Sequence, residues 1–322
     1  MINYKTTFPF LLLLTVWLAS CEKKYLEIVP VLQVEQDLSI PGANDVKYFS
    51  FPSEQIGYAA ENASFIYKTS DGGKSWLKLA VGNASNPCRG MEFFDTLNGM
   101  CLMGENVYVT DNGGLSWTYR GSGQFMGIST TGKGIMGFST RTSCSILVST
   151  NKGKSFQLAG NIKLDREFEG AIIAGTKVFV LENDQAFRSL SGFDVETRNQ
   201  EELVVFGRMN NPAAMFYNEY SKALVGSSGQ ILQPPSPDES YQDAYFGHTY
   251  TYFSVDGYQD LLIAVGERTA SINRQYGEES KWSELLDRDG RSFPFTFFKI
   301  KFINENTFYL SGNNGLLWRA KI

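Results

Sequence analysis

Short apolar runs separated by glycine, asparagine, aspartate and serine recur along most of this chain. Runs of about four to eight residues, rich in β-branched and aromatic side chains and bounded by turn residues, are typical of strands. An opening apolar strand is followed each time by a strand rich in small residues, a third strand and a turn. The pattern predicts seven units of about 40 residues. The units open at Val46, Gly90, Phe125, Glu169, Pro212, Thr249 and Pro294.

An eight-residue phrase occurs three times in the first half of the chain. It ends at Trp76 as TSDGGKSW, at Trp117 as TDNGGLSW and at Phe156 as STNKGKSF. The copies therefore lie 41 and 39 residues apart. A period of roughly 40 to 45 residues is what four short strands and their turns occupy, and it is typical of a β-propeller blade.

Each position of the phrase has a physical role in a tight turn between two strands. Glycine tolerates positive φ, the Asp or Asn side chain accepts hydrogen bonds from nearby backbone N–H groups, and the closing aromatic packs between neighbouring blades. We therefore predict that these side chains are structural. They are Thr69, Asp71, Gly73, Ser75, Trp76, Thr110, Asn112, Gly114, Ser116, Trp117, Ser149, Asn151, Gly153, Ser155 and Phe156.

The phrase resembles the Asp-box, or BNR, repeat of sialidases, xyloglucanases, sortilin-like receptors and photosystem II assembly-factor-like propellers. The resemblance is nearest to the photosystem II assembly or stability factor-like and sortilin-like propellers, and it covers the first three units well. It implies an all-β fold, a single seven-bladed β-propeller of four-stranded antiparallel blades. In these families the box lies on a peripheral turn away from the binding face, in enzymes and non-enzymes alike.

The seventh unit has room for only three strands before the chain ends at Ile322. An uncovered edge strand invites aggregation, and closure of the ring removes it. The apolar stretch from Tyr25 to Gln36 belongs to no unit, so we predict that part of it forms the outermost strand of blade seven. Pro30 is tolerated there because an outermost strand has one unpaired side. The alternative is that this stretch is a disordered tether.

The amino terminus has the features of an export signal. Lys5 precedes a twelve-residue apolar run, Phe8 to Ala19, which is shorter than the roughly 20 residues that a membrane-spanning helix needs. The tetrapeptide from Leu18 to Cys21 resembles the bacterial lipobox, in which the cysteine becomes the lipidated first residue. Lipidation at Cys21 would hold the mature protein on a membrane. The alternative is an ordinary signal peptide.

These features together predict the organisation of the chain. Residues 1–20 are a lipoprotein signal peptide, residues 21–45 are a lipid-anchored tether with the ring-closing strand, and residues 46–322 are the propeller. We expect a monomer in the bacterial cell envelope, anchored to a membrane. The outer membrane is the expected site, with the propeller facing the periplasm or the cell surface.

Composition narrows the classes of partner. The chain has 29 basic and 34 acidic residues, and removal of Lys5 with the signal leaves a net charge of −6. This mild acidity argues against a nucleic-acid partner. Cys88, Cys101 and Cys144 follow Cys21, show no C-x-x-C spacing and are expected to be buried free thiols. No cofactor and no metal site is predicted.

The candidate ligand face is the one that the boxes do not occupy. Turns between strands two and three, and crossings between blades, lie on that face, where propellers generally bind their ligands. Every crossing carries a basic residue, and a ring of cations would concentrate anionic ligands such as acidic glycans or carboxylate-bearing peptides. The alternative is ordinary surface arginines. The candidates are Arg89, Arg120, Arg166, Arg208, His248 and Arg291.

These observations predict a non-catalytic module that binds a protein or a glycan in assembly, adhesion or carbohydrate capture. The alternative is a glycoside hydrolase of the sialidase-like or xyloglucanase-like type. Sialidase-like enzymes usually carry an Arg-Ile-Pro element, which is absent here, and xyloglucanase-like enzymes need two propellers. No spacing identifies an acid and a base for glycoside hydrolysis, so no catalytic residue is assigned. His248 is the single histidine, which makes His-based triads improbable.

Overall fold

The computed structural model describes residues 30–322 apart from 84, 141, 184–186, 208–211, 219, 234–241, 244–248 and 274–280. Cys21 and the predicted signal peptide lie outside these described residues. In the described part of the chain, no helix is long and apolar enough to cross a bilayer.

All regular structure in the described residues is β-strand, in short antiparallel pieces. The strands are β1 (Gln33–Asp37), β2 (Tyr48–Ser50), β3 (Gly57–Ala60), β4 (Phe65–Thr69), β5 (Leu77–Ala80), β6 (Cys88–Phe93), β7 (Gly99–Met103), β8 (Asn106–Thr110), β9 (Thr118–Ser122), β10 (Phe125–Ile128), β11 (Gly134–Ser139), β12 (Ser143–Ser149), β13 (Gln157–Lys163), β14 (Glu167–Ala174), β15 (Lys177–Asn183), β16 (Phe187–Asp194), β17 (Gln200–Gly207), β18 (Pro212–Tyr217), β19 (Lys222–Gly226), β20 (Ile231–Gln233), β21 (Gln242–Asp243), β22 (Tyr252–Tyr258), β23 (Leu261–Gly266), β24 (Thr269–Asn273), β25 (Trp282–Glu284), β26 (Phe297–Phe302), β27 (Thr307–Gly312) and β28 (Leu317–Lys321).

The strands form seven four-stranded sheets, and each sheet is one blade. Blades 1 to 6 take four consecutive strands each, beginning with β2 and ending with β25, and blade 7 contains β26, β27, β28 and β1. The first strands of successive blades contact one another around a complete circle, including β26 against β2. The molecule is a seven-bladed β-propeller, which confirms the fold predicted from the repeat.

The amino-terminal strand closes the ring, as predicted. β1 pairs antiparallel with β28, with Gln33 opposite Lys321 and Asp37 opposite Trp318. The strand therefore uses only the end of the apolar stretch proposed from the sequence and extends one residue beyond it. Pro30 precedes the strand, and its carbonyl accepts a hydrogen bond from the backbone N–H of Leu286 at 3.3 Å. Proline in this position costs no ladder donor.

The core lies in the seams between blades. The second strands β3, β7 and β27 are buried along their whole length, because each is covered by a neighbouring blade on both faces. At the seam between blades 1 and 2, the rings of Tyr58 and Phe93 stack within 5° of parallel. Complete burial of one such side chain stabilises the fold by about 1.5–3 kcal/mol. The many Phe and Tyr residues of the chain serve these contacts.

Candidate functional site

The three copies of the repeated phrase form the turns between the third and fourth strands of blades 1, 2 and 3, here called the repeat turns. In the first, Thr69 Oγ1 accepts hydrogen bonds from the backbone N–H of Gly73 at 2.8 Å and of Asp71 at 3.3 Å. Asp71 accepts from the backbone N–H of Ser75 at 3.0 Å and from its hydroxyl at 2.6 Å. Hydrogen bonds from Ser75, and then from Thr69, lower the pKa of Asp71 to about 2.

The second and third repeat turns reproduce this network with asparagine in place of aspartate. Gly114 N donates to Thr110 Oγ1 at 3.0 Å, and Gly153 N donates to Ser149 Oγ at 2.8 Å. Further bonds join the asparagine to the later serine of each turn, at 2.7 to 2.9 Å. The serine–asparagine pairs are Ser116 with Asn112 and Ser155 with Asn151.

Each repeat turn also packs against the blade before it. A Cβ at Gly73, whose φ is +87°, would lie 2.6 Å from Leu38, and Trp76 Nε1 donates to the Leu38 carbonyl at 3.0 Å. In the third turn, a Cβ at Gly153 would lie 2.7 Å from Val109 of blade 2. The hydroxyl, Asp or Asn, and serine side chains of the phrase bond within their own turn, and Gly73, Gly114 and Gly153 are buried, so these positions serve to hold the turns and the blades together.

The described basic residues that were predicted to form the ligand face do not lie together in the structure. Arg89 lines the central channel, on a β-bulge that inserts it between Cys88 and Gly90 of β6. Arg120 is exposed on β9, the outermost strand of blade 2. The other described candidates are Arg166 and Arg291.

Arg166 is held by blade 4, because its Nη1 donates to Ser189 Oγ at 3.0 Å and its backbone N–H donates to Glu182 Oε2 at 3.0 Å. Arg291 sits in an exposed turn and pairs with Asp289 at 3.5 Å. Arg208 and His248 lie outside the described residues. Of the four described candidates, only Arg89 is among the residues that line the two channel cavities.

The first strands of the blades line the central channel, and among the described residues two of its cavities can be compared. The larger, about 530 Å³, opens on the face that carries the repeat turns and is called the turn-face chamber. The smaller, about 220 Å³, opens on the face of the blade crossings and is called the crossing-face chamber. The larger cavity therefore lies on the face opposite the one expected from the sequence. Glu92 and Lys299 line both chambers.

Lys299 stands at the boundary between the chambers with few partners. Its Nζ lies 3.9 Å from Glu92 Oε1, donates to the Phe49 carbonyl at 3.4 Å and stands 5.3 Å from the centre of the Phe49 ring. Burial lowers the pKa of Lys299, and the charge of Glu92 opposes this effect. Both polar contacts are longer than a strong charge-assisted hydrogen bond, so the ammonium retains donors for a ligand.

Two acidic side chains of the first strands, Glu92 and Asp256, are engaged by backbone groups of the next blade. Glu92 Oε2 accepts from the backbone N–H of Ile128 at 2.6 Å, and Asp256 Oδ2 accepts from that of Phe302 at 2.7 Å. Lys301 lies 3.8 Å from Asp256, whose charge raises the pKa of Lys301. These bonds tie neighbouring first strands together.

An aromatic and basic rim completes the turn-face chamber. The rings of Phe51 and Tyr309 stack with centroids 4.2 Å apart. The guanidinium of Arg319 lies 3.5 Å from Glu35 of β1 and 3.7 Å from Glu54. Arg319 is thus held between the closing strand and blade 1. The chamber presents two lysines and an aromatic wall, with hydroxyl groups from Ser50, Ser53, Ser129, Thr130 and Tyr309 around them.

Sequence reasoning missed this group of residues, although the sequence carries a signal for it. The run FFKIKF places Lys299 and Lys301 two residues apart, on one side of an otherwise apolar strand. Glu92 and Asp256 are likewise single acids within apolar first strands. A charged side chain in a buried strand needs a partner, and here that partner is another first strand across the channel wall or a ligand.

No protein-family model and no curated protein sequence matches this chain. Similar solved structures do exist. YCF48 bound to a D1 peptide is 16% identical, with a TM-score of 0.66 over 91% of this chain and 97% of that one. YCF48 from Cyanidioschyzon merolae is 11% identical, with a TM-score of 0.66 over 89% and 98%. The WD40 propeller domain of Doa1 is 11% identical, with a TM-score of 0.63 over 91% and 97%.

At these identities the likeness shows the fold alone. The alignment covers 97 to 98% of each matched structure, so the propeller accounts for nearly all of the matched chains. Two of the three are YCF48 propellers, in agreement with the resemblance to photosystem II assembly-factor-like propellers at the level of architecture. One of them was solved with a bound peptide.

Proposed function

We propose that this protein is a non-catalytic binding module of the bacterial cell envelope, and that its turn-face chamber receives an extended segment of a protein partner. The observation that carries the proposal is the pair Lys299 and Lys301 in a cavity of about 530 Å³ with an aromatic wall. A peptide with a carboxylate would satisfy the lysines, and its apolar side chains would pack on Phe51 and Tyr309. The peptide in the similar YCF48 structure supports a partner of this class.

Size favours this chamber over the one on the crossing face. Ligand pockets generally have volumes of about 300 to 1,000 Å³. The turn-face chamber, at about 530 Å³, falls within this range, and the crossing-face chamber, at about 220 Å³, falls below it. Arg89 and Lys47 of the smaller chamber would then contribute to the field that attracts an anion more than to its contact surface.

Binding is favoured over glycoside hydrolysis by the contacts of the channel carboxylates. A glycosidase needs a pair of carboxyl groups that flank the scissile bond. Glu92 and Asp256 each accept a backbone N–H of the next blade and lie within 4 Å of a lysine. Both carboxylates are therefore engaged in contacts between first strands.

The lipoprotein assignment and the family of the repeat are part of the same proposal. The sequence from Leu18 to Cys21 supports lipidation at Cys21, followed by residues 21–45 as the lipid-anchored tether with the ring-closing strand. The hydrogen-bond network of the repeat turns supports their identification as Asp-boxes. We propose an outer-membrane anchor, with residues 46–322 and the closing strand β1 held together as a monomeric propeller at the membrane surface.

A single binding experiment separates these alternatives. The full-length protein, extracted in detergent, is exposed to a displayed library of random peptides with free carboxyl termini, and to sialyl and neutral oligosaccharides that are scored for both retention and turnover. We expect retention of carboxylate-bearing peptides, weakened at least about tenfold by Lys301→Gln because a charge-assisted hydrogen bond contributes about 1.5–3 kcal/mol. Turnover of an oligosaccharide, or selective retention of glycans, would contradict the proposal.

A further inference from the structure

Three sulfur atoms meet in the seam between blades 1 and 2. Cys88 Sγ and Cys101 Sγ are 3.7 Å apart, and Cys101 Sγ is 3.3 Å from Met103 Sδ. All three side chains are at most 1% exposed. Cys88 lies on β6, and Cys101 and Met103 lie two residues apart on β7, so two neighbouring strands supply the three sulfurs, with Cys101 close to both of the others.

The register of the two strands argues against a disulfide. Cys88 lies opposite Met103 and Met91 lies opposite Cys101, which places the two cysteines at diagonal positions. Diagonal neighbours in a sheet are about 7–8 Å apart, whereas a disulfide needs Cα atoms about 4.4–6.8 Å apart and sulfurs at about 2.05 Å. Both cysteines are free thiols in this structure. Closing the bond would require the backbone to move.

The same spacing suits two ligands of one metal ion. A sulfur ligand lies about 2.3 Å from its metal, so two sulfurs on one ion are about 3.7–4.0 Å apart at tetrahedral or trigonal angles. The gap between the cysteines matches this range, and the gap to Met103 needs to open by about 0.5 Å. The unbranched thioether of methionine adapts readily to such a change.

We propose that Cys88, Cys101 and Met103 form a binding site for monovalent copper. Thiolate and thioether ligands are soft and select Cu(I), whereas structural zinc takes four ligands, drawn from cysteine and histidine. In the described chain, no group of three His, Cys, Asp or Glu side chains is placed to hold a metal, so a fourth ligand of that kind is not at hand. The sequence did not predict this site, because Met103 belongs to no recognised metal-binding spacing.

The structure can balance the charge of the bound copper ion. Binding of Cu⁺ releases one proton from each thiol and leaves a complex with a net charge of −1, with no change in oxidation state. Lys299 interacts electrostatically with the Cys88 sulfur and offsets that charge. Arg89 and Gly90, which follow Cys88, line the crossing-face chamber, so the site lies beside the channel.

The test is anaerobic titration of the full-length protein with Cu(I) in competition with the chromophoric chelator bicinchoninate, in a Cys21→Ser background. We expect one Cu(I) per chain, lost on Cys88→Ala or Cys101→Ala and at least about tenfold weaker on Met103→Leu. Cys144→Ala is the matched control and should retain copper fully, since Cys144 lies buried in the separate seam between blades 3 and 4. Copper X-ray absorption should show only sulfur neighbours, at about 2.3 Å.

Several results would overturn the site. They are no copper retained by the parent protein, retention unchanged by Cys88→Ala, nitrogen or oxygen neighbours at the copper, or only one titratable thiol among Cys88, Cys101 and Cys144 after unfolding, which would reveal a disulfide. If the cysteine variants fail to fold, Met103→Leu decides the question, because that substitution conserves volume. Peptide binding is measured on the same samples, so failure of the copper site and failure of the proposed function are separate outcomes.

Discussion

Blades 1 to 3 and blade 4 build the same four-stranded sheet with different means. The first three join their third and fourth strands through the repeat turns, and their strands hold three to seven residues. Blade 4 has no such turn, and its strands hold seven or eight residues. Longer ladders supply more backbone hydrogen bonds within the blade, whereas the repeat turns supply contacts to the blade before.

A buried carboxylate is common to both kinds of blade. In blade 4, Glu182 accepts from the backbone N–H groups of Asp165 and Arg166 and from the Ser191 hydroxyl, at 2.8 to 3.0 Å. In blade 1, Glu61 accepts from the backbone N–H of Asn44 and from the Tyr67 hydroxyl, each at 2.8 Å.

Each of these glutamates fastens the incoming crossing to the end of the second strand. The comparison therefore shows that the repeat turn is an accessory that joins blades and is not a requirement for a blade. Substitutions in the repeat turn and at the buried glutamate should therefore separate the contributions of the two features to stability.

The largest effect is expected at the contact between a repeat turn and the preceding blade. Gly73→Ala places a Cβ at a positive φ and against Leu38, which should destabilise the protein by about 3 kcal/mol. Gly170→Ala in blade 4 is the control, because a Cβ there meets no atom within 4 Å. Denaturant unfolding measures both variants. Equal midpoints for the two would show that this contact does not hold blades together.

The next effect concerns the carboxylate that both kinds of blade share. Glu182→Ala leaves two backbone N–H groups of the crossing without their acceptor, and should cost about 2–3 kcal/mol. Glu167→Ala, at an exposed position of β14, should change stability by less than about 0.5 kcal/mol. If Glu182→Ala lowers stability no more than Glu167→Ala does, the buried carboxylate does not stabilise the blade.

A smaller effect is expected inside the repeat turn. Thr69→Val keeps the shape of the side chain but removes the acceptor for Gly73 N, at a cost of about 1–2 kcal/mol. Thr118→Val, exposed at the start of β9, is the matched control. Thermal unfolding of the two variants provides the measurement, and a neutral Thr69→Val would mean that water replaces the hydroxyl.

The smallest effect separates the aspartate of the first repeat turn from the asparagines of the other two. The pKa of Asp71 is lowered to about 2 in the folded protein, so its contribution is present above the unfolded pKa near 4 and is lost as the pH falls toward 2. Asp71→Asn should flatten the stability profile between about pH 4 and pH 2 and leave Asn112 and Asn151 to serve as natural references. If the dependence of stability on pH is the same in Asp71→Asn, other groups cause the loss of stability in acid.

The fold could be predicted from the sequence because it depends on patterns that are local in the chain. Strand periodicity, the repeated phrase and the missing fourth strand of blade 7 each lie within one unit, and the closing strand followed from the need to cover an edge. The residues that line the channel could not be predicted in this way. Glu92 and Lys299 belong to blades 2 and 7 and meet only when the ring closes.

The face of the larger cavity was equally hidden from the sequence. It depends on the side chains at the ends of several first strands, such as Phe51, Ile128 and Phe302, and not on any one motif. Among the described basic residues of the crossings, Arg120 lies exposed on β9, the outermost strand of blade 2, whereas Arg89 lines the channel. Their spacing along the chain contains no information on distance from the channel axis.

The measurement that tests the central claim most directly is the dissociation constant of one retained carboxylate-bearing peptide for three single variants. Lys301→Gln changes the turn-face chamber, Arg89→Gln changes the crossing-face chamber and Lys74→Gln changes an exposed position of a repeat turn. We predict a loss of about tenfold or more for Lys301→Gln and less than about threefold for the other two. A larger loss for Arg89→Gln or Lys74→Gln than for Lys301→Gln would contradict the assignment.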